Sequence, residues 1–288
     1  MTNEISQGTL PIDLKRIEDG IKRQPRVRER VREVLFFEKV ASTNKTALEM
    51  GATGLPGGVL ILANEQTNGM GRLNRTWVSP KSVNLYLSLL LRPHQPMRDF
   101  PLFSLATALG VVQALRVVTQ LEVTAKWPND IMIGDKKIAG ILLETGKKAG
   151  EEPYLVIGIG VNVNYEATDM PEEIAQLASS LKIATGHFID RTHLVNEMLI
   201  ALVAQYALLD KGESDLMISN LSQVCSTLGK QVRVTMPDKI HEGLAESISK
   251  EGALVLRLAD GSLRTLFAGD VTKLAPAPPP LPRRHWSS

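Results

Sequence analysis

The segment EQTNGMGRLNRTW (65–77) contains the residues best suited to gripping an anion. Gly69 and Gly71 have no side chains, so the backbone here can turn tightly and approach a ligand closely. Arg72 and Arg75 follow, and guanidinium groups suit phosphate or carboxylate. An exposed loop with solvated arginines fits this segment equally well. A Walker A loop is excluded because the Gly-Lys-Ser/Thr ending is missing, and a Rossmann fingerprint because the glycine spacing differs.

A second unusual segment is the pentapeptide KWPND (126–130). Lys126 ends the predicted strand VTAK, so its ammonium could point into a crevice at the end of the sheet. Pro128 fixes the path of the loop. Asn129 and Asp130 suit either a turn or a ligand contact, and we give the two interpretations equal weight.

Glycine and asparagine also interrupt two apolar runs. KIAGILLE (137–144) places Gly140 inside a predicted strand, which usually marks the close approach of a ligand or another backbone. GIGVNVN (158–164) adds two glycines and then Asn162 and Asn164. Buried amides need partners, and the edge of a ligand's base is one option. Ordinary backbone bonding is the other, and we favour it for Asn164.

Apolar runs and periodicity predict the elements that position these segments. Short apolar or alternating runs predict strands at 34–40, 57–64, 84–91 and 154–164, and a strand, loop and hairpin over 123–144 with its turn at Gly134-Asp135. Helical spacing predicts helices from Ser42 or Thr43 onward and at 100–120, 171–183, 190–210 and 213–226.

The two ends of the chain differ from this middle part. Residues 12–33 predict two short, mostly exposed helices separated at Pro25. Alternating runs with Asp260-Gly261 at a turn predict a small barrel of about five strands. We therefore divide the chain into an N-terminal helical extension (1–33), a main domain (34–228), a barrel domain (229–275) and a Pro-rich disordered tail (276–288).

Composition excludes several classes of protein. The 288 residues are 43% hydrophobic and 22% charged, as in soluble globular proteins, and the net charge is +2, which argues against charge-driven binding of nucleic acid. The single cysteine excludes an internal disulfide framework. No secretory signal and no uninterrupted apolar run of 18 residues is evident, so we expect a cytoplasmic protein without a membrane span.

Taken together and in this order, STN (42–44) and the four segments above resemble biotin protein ligase, which attaches biotin to biotin-dependent carboxylases. The resemblance covers about residues 34 to 275. KWPND with AGIL downstream and a Gly-x-Gly-Arg loop upstream is highly specific in combination. The resemblance implies an α/β (α+β) fold: a mixed sheet packed on helices in a class II synthetase-like catalytic domain, followed by a small SH3-like β-barrel.

The resemblance also implies roles for individual residues. Lys126 and Arg72 would be catalytic. Biotin would be bound by Ser42, Thr43, Asn44, Gln66, Gly69, Gly71, Arg72, Leu73, Lys126 and Gly140, with Thr43 and Gln66 at its ureido group. ATP and the adenylate would be bound by Arg72, Arg75, Trp77, Lys126, Asn129 and Asn162. Lys126 would contact first the biotin carboxylate and then the phosphate.

The implied reaction uses ATP with Mg²⁺ and biotin, and its protein partner is a biotin carboxyl carrier domain. The sequence identifies no metal ligands. Because only about 33 residues precede the predicted sheet, we expect no DNA binding; a homodimer is allowed. Lys136 and Lys137 at the predicted hairpin tip would be solvated and could steer an acidic carrier domain.

Two residues depart from the family's usual Gly-Arg-Gly-Arg-x-Gly-Arg loop. Met70 replaces its first arginine and Asn74 its third glycine. We expect Asn74 to adopt positive φ at modest cost and catalysis to be preserved, with altered loop ordering or nucleotide affinity. Two alternative functions stay open: a lipoate- or octanoate-type protein ligase, and a non-catalytic biotin-binding scaffold.

Overall fold

Apolar runs form the middle of a seven-stranded mixed sheet. The computed structural model describes residues 11–147, 150 and 152–274. The strands are β1 (Glu33–Phe37), β2 (Val59–Ala63), β3 (Leu85–Leu91), β4 (Val123–Lys126), β5 (Asp130–Ile133), β6 (Lys136–Gly146) and β7 (Tyr154–Val161). Their order is β1-β2-β3-β7-β6-β5-β4, with β1 and β2 parallel and the other pairs antiparallel. Every residue of β2 and β3 is buried, as the unbroken apolar patterns predict.

Helices cover both faces of this sheet. The long helix α4 (Phe100–Thr119) packs on strands β4, β5 and β6, and the helices α7 (Arg191–Asp210) and α8 (Ser214–Val224) pack against α4. The helix α3 (Thr43–Ala52) packs on the other face. Two helical stretches, Met97–Thr119 and Arg191–Asp210, are long and apolar enough to cross a bilayer by length and composition alone. In the most apolar 18-residue part of each stretch, 72% and 56%, respectively, is buried inside the protein.

An apolar stripe anchors the N-terminal helices on the core. The helices α1 (Leu14–Arg23) and α2 (Pro25–Arg30) are present and separate at Pro25, as predicted. However, Ile17, Ile21 and Val27 are buried in the main core, and both helices pack on α7. Most of the other residues in the two helices are exposed, so the prediction of two short, mostly exposed helices is confirmed.

The prediction of a single helix over 171–183 is wrong. The chain forms two short helices instead, α5 (Glu172–Ala175) and α6 (Leu181–Thr185). Between them, the Leu177 carbonyl accepts from the Lys137 N–H at 2.9 Å, and the Ser179 N–H donates to the Lys137 carbonyl at 3.0 Å. These bonds to β6 hold the intervening residues extended.

A second, antiparallel sheet follows, as the alternating pattern predicts. It contains β8 (Gln231–Thr235), β9 (Ile240–Ile248), β10 (Leu254–Arg257), β11 (Leu263–Leu266) and β12 (Asp270–Lys273). Strands β10 and β11 flank the predicted turn at Asp260-Gly261. Trp127 ties the two sheets together, since its Nε1 donates to the Gly252 carbonyl at 3.1 Å. The mixed sheet on helices with a small C-terminal β-domain confirms the predicted fold class; the tail 276–288 lies outside the described residues.

Candidate active site

A cleft with two connected pockets lies over β6 and β7. The inner pocket has about 470 Å³ of empty space and the outer pocket about 1010 Å³. Both are lined by Gly71, Arg72, Trp77, Asn129 and Lys137, so these residues mark the junction. The cleft brings together most of the predicted site residues, which come from five segments of the sequence.

Hydroxyl and amide groups form one wall of the inner pocket. The Thr43 N–H and hydroxyl lie 2.9 and 3.1 Å from Gln66 Oε1. Ser88 Oγ lies 2.7 Å from Thr43 Oγ1 and 2.6 Å from Asn44 Oδ1. Ser42 caps α3, whose first turn thereby presents these side chains. Ser88 was missed by the sequence reasoning because it is a single polar residue in a fully buried strand.

Tyr86 also lines the inner pocket and was not predicted. Its hydroxyl donates to the Pro80 carbonyl at 2.9 Å. Burial raises the pKa of Tyr86 far above its usual value. The phenol is therefore neutral at physiological pH and adds no negative charge to the pocket.

Three glycines make a ledge on the floor of the cleft. A Cβ on Gly158 would overlap with Asn44 Oδ1. One on Gly160 would come within 2.5 Å of the Trp77 indole, and one on Gly140 within 3.0 Å of the same ring. Gly140 thus makes room for Trp77 and for the ligand space around it, rather than simply admitting a ligand to the strand.

The predicted anion loop reaches the junction through Arg72. Arg72 Nη1 donates to Asn129 Oδ1 at 2.9 Å, and this bond links the loop to the KWPND segment. Leu73 and Asn74 both adopt positive φ, 53° and 58°, so the expectation for Asn74 is confirmed. Leu73 is 61% exposed and lines neither pocket. Gly69 lines neither pocket either.

Gly69 and Arg75 support the loop in other ways. A Cβ on Gly69 would overlap with the Trp77 carbonyl, so this glycine allows the loop to fold back on itself. Arg75 lines only the outer pocket and forms an ion pair with Asp270 of β12. Asp270 lines the outer pocket as well, and sequence reasoning gave no sign that the barrel would contribute to the site.

The structure does not support the assignment of Lys126 to the cleft. Lys126 lines neither pocket and instead borders a small apolar pocket beside Leu105 and Cys225. It belongs to the edge strand β4, two strands away from β6, which is a separation of about 10 Å. Sheet order, which the sequence does not reveal, is the reason for the error.

The lysine at the junction is Lys137. Its Nζ lies 2.6 Å from Asp130 Oδ1 and 5.3 Å from the centre of the Trp77 ring. The side chain is 31% exposed, so the expectation of a solvated tip residue is wrong. Strict strand alternation would place residues 137 and 140 on opposite faces. The pairing register shifts between Ile131 and Met132, and such a bulge turns Lys137 to the face of Gly140.

Asn162 and Asn164 differ in surroundings. Asn162 lines the outer pocket, and its Nδ2 donates to the Ser179 carbonyl at 3.0 Å. Asn164 lies outside both pockets; its Nδ2 and Oδ1 bond the Ile189 carbonyl and N–H, both at 2.9 Å. Ordinary backbone bonding, which we favoured for Asn164, is confirmed.

The outer pocket has both apolar and acidic parts. Ile174, Leu177 and Ala178 line one side, with Glu173 nearby. Among the described residues, no group of three His, Cys, Asp or Glu side chains could hold a metal ion. Asp130 and Asp270 are each engaged with a cation. In the described part of the chain, neither carboxylate thus belongs to a cluster of metal ligands.

The chain matches known proteins along most of its length. Residues 36–162 match the biotin/lipoate A/B protein ligase family, and residues 227–274 match the biotin protein ligase C-terminal domain. It is 32% identical to the bifunctional ligase/repressor BirA of Bacillus spizizenii, over 83% of this chain and 73% of that protein. It is 31% identical to the biotin–[acetyl-CoA-carboxylase] ligase of Mycobacterium tuberculosis, over 84% of this chain and 90% of that one.

A solved structure extends this similarity to the fold. Biotin protein ligase from Aquifex aeolicus, in complex with biotin and ATP, is 26% identical and superposes with a TM-score of 0.73, covering 84% of this chain and 98% of that one. The resemblance noted in the sequence is confirmed by these matches. The chain therefore belongs to the biotin/lipoate A/B protein ligase family.

Proposed function

We propose that this protein is an ATP-dependent biotin–[carboxyl carrier protein] ligase: it forms biotinyl-5′-AMP and then transfers biotin to a lysine of a carrier domain. One observation carries the proposal. A single cleft has a polar wall at its inner end, a wide outer half, and the cations of Arg72 and Lys137 where the two halves meet. Such a cleft suits two substrates whose reacting groups are both anionic.

The inner pocket fits biotin better than it fits lipoate. Biotin's ureido ring offers N–H donors and a carbonyl acceptor, which match the hydroxyls and amides of Thr43, Asn44 and Gln66. The dithiolane ring of lipoate has no such groups and would form no hydrogen bonds with these side chains. Sites built to hydrogen-bond a substrate reject analogues that lack the polar group, by as much as about 10⁴–10⁵.

Lys137 replaces Lys126 in the proposed mechanism. Biotin extending from the inner wall would bring its carboxylate to the junction, where Lys137 and Arg72 lie. A carboxylate oxygen attacks the α-phosphorus, the bond to pyrophosphate breaks, and pyrophosphate leaves with the electron pair. Both cations offset the charge that builds on the phosphoryl oxygens.

The outer pocket would take the nucleotide. Trp77 and Asn162 border this space, and the apolar side of the pocket suits the adenine base. Arg75 faces the same space and could exchange Asp270 for phosphate. The loop 65–77 covers the junction, and keeping water out would protect the adenylate, which is a labile mixed anhydride.

Transfer to the carrier lysine needs a neutral amine. The amine nitrogen attacks the acyl carbon, AMP leaves with the electron pair, and one proton is released. Asp130 lines the outer pocket next to Lys137, so its carboxylate is the nearest candidate to receive that proton.

Charge, cysteine content and helix packing bear on where the protein acts and what it binds. We propose that the protein acts in the cytoplasm, which its single cysteine supports. We propose that it does not bind DNA; its near-balanced charge and the packing of α1 and α2 on α7 support this. A homodimer stays a prediction that sedimentation would test.

The decisive experiment is mass spectrometry of a purified biotin carboxyl carrier domain after incubation with this protein, ATP and biotin. We expect one biotinyl group on one lysine, and none without ATP. Lipoate in place of biotin is the matched control. A modified carrier only with lipoate would establish the alternative ligase, and biotin binding without pyrophosphate release would establish a binding scaffold.

A further inference from the structure

The largest fully buried side chain among the described residues is a charged one, Arg191. It is the first residue of α7 and is 2% exposed. Burial lowers the pKa of Arg191, and the nearby carboxylates of Glu38 and Asp190 oppose this effect. Taking a guanidinium out of water costs free energy, and an apolar side chain of similar size would fill the space at less cost. The position of this charge therefore calls for an explanation beyond packing.

Arg191 binds both ends of the connection between β2 and β3. The Arg191 Nη1 donates to Asn64 Oδ1 and to the Asn84 carbonyl, both at 3.1 Å. Asn64 in turn donates from Nδ2 to Glu38 Oε2 at 2.9 Å. Asn84 Oδ1 accepts from the Val163 N–H at 2.9 Å. One guanidinium thus gathers the ends of β1 and β2, the start of β3 and the end of β7.

From these points the chain runs directly into the inner pocket. Segments 38–44 and 64–68 lie side by side: the Val40 N–H donates to the Glu65 carbonyl at 3.1 Å, and the Thr67 N–H donates to the Val40 carbonyl at 3.0 Å. Gln66 follows Asn64 by two residues, and Tyr86 follows Asn84 by two. Both are pocket-lining residues.

We propose that Arg191 is a positioning residue for the biotin pocket, which acts through Asn64 and Asn84 to set the polar wall of Thr43, Gln66 and Tyr86. Arg191 does not line the pocket and touches no substrate. The hydrogen bonds from Arg191 to Asn64 and Asn84 restrict this buried cluster to one arrangement, and binding groups must be held within about 0.5 Å of their productive positions. The inference rests on the proposed function, because it takes biotin as the ligand of the inner pocket.

The test is Arg191→Met, which keeps the length and bulk of the side chain but removes the donors. We expect the KM for biotin in pyrophosphate exchange to rise about 10-fold or more, with the KM for ATP changed less than about twofold. Isothermal titration with biotin should show the same loss. A purely structural role would lower the folded fraction and leave both KM values unchanged.

Tyr206→Phe is the matched control for stability. This substitution removes a buried hydroxyl from the same helix. The Tyr206 hydroxyl lies 2.7 Å from Thr107 Oγ1. Fifteen residues of helix place it about 22 Å from Arg191. We expect both KM values to match those of the wild type. If Tyr206→Phe raised the KM for biotin as much as Arg191→Met did, general loosening of α7 would be the cause and the inference would be overturned.

A double-mutant cycle tests the route. Because Arg191 acts through Asn64, we expect Asn64→Ala alone to weaken biotin binding, and Arg191→Met to add less than its full effect in that background. Full additivity would overturn the inference. If Arg191→Met does not fold, Asn64→Ala decides: an unchanged KM for biotin would refute the role. Failure of the wild type to bind biotin would instead refute the proposed function.

Discussion

Replacing Lys137 separates the structure-based mechanism from the one that the sequence suggested. Lys137→Met removes the ammonium at the junction and keeps most of the side chain's volume. Lys126→Met is the matched control, since it is also a half-buried lysine at the end of a strand but lines neither pocket. The two variants therefore differ in where the charge is lost, not in what is lost.

The expected magnitude follows from the position of the Lys137 charge. Two unit charges about 4 Å apart interact by about 4 kcal/mol at an effective dielectric constant of about 20. The Lys137 side chain keeps 31% exposure, so solvent weakens this value. We take about 2.7 kcal/mol, which corresponds to about a 100-fold loss of rate and matches the effect of removing one preorganised donor.

The assay is biotin-dependent exchange of pyrophosphate into ATP, which reports the adenylation step alone. We expect Lys137→Met to lose about 100-fold in kcat, and Lys126→Met to stay within about threefold of the wild type. Asp130 lies 2.6 Å from the Lys137 Nζ and would be left as an uncompensated charge. Adding Asp130→Asn should therefore restore part of the loss. A large loss in Lys126→Met with near-normal exchange in Lys137→Met would refute the reasoning.

Three further predictions test other parts of the structure. Gly158→Ala places a Cβ against Asn44 Oδ1, so we expect biotin titration to show at least about 10-fold weaker binding; an unchanged affinity would contradict this. Trp127→Phe loses the bond to the Gly252 carbonyl and should cost about 1 kcal/mol in urea unfolding, whereas a wild-type midpoint would show that the bond contributes nothing. Burial acts to raise the pKa of Asp190, but hydrogen bonds from the start of α7 and a neighbouring guanidinium outweigh it and lower that pKa below 3.8. The stability that the Asp190 carboxylate gives to the folded protein is thus present at neutral pH and is lost as the pH falls through the lowered pKa. Asp190→Asn should therefore lower the free energy of unfolding at pH 7 and lower it less near pH 3.

Most elements could be predicted because their signals are local. The apolar runs of β2 and β3 and the 20-residue apolar helix α4 each require a buried element of one type, whatever surrounds them. The pattern at 171–183 misled because its apolar residues also fit a helix. Hydrogen bonds that Leu177 and Ser179 form with Lys137 of the neighbouring strand β6 outweighed that local preference. Tertiary pairing of this kind leaves no trace in the periodicity of the segment itself.

The site was predicted less completely for the same reason. The pentapeptide at 126–130 is unusual, and its lysine was the natural choice for a strand-end cation. Its asparagine does reach the junction, where it accepts from Arg72. Lys126 does not, because β4 is an edge strand, whereas the bulge in β6 turns Lys137 inward. Neither the strand order nor the bulge can be read from residue types and spacing.

The division of the cleft into two halves depends on a pair of glycines that act together. Gly140 and Gly160 are direct register partners on β6 and β7. Because both lack a side chain at the same level of the sheet, they leave a recess wide enough for the indole of Trp77, which lies against both. A Cβ on Gly160 would overlap with the indole and one on Gly140 would press against it, so a side chain at either position would force Trp77 to shift. The shape of the cleft at the boundary between the inner and outer pockets therefore depends on strand register as well as on the loop that carries Trp77.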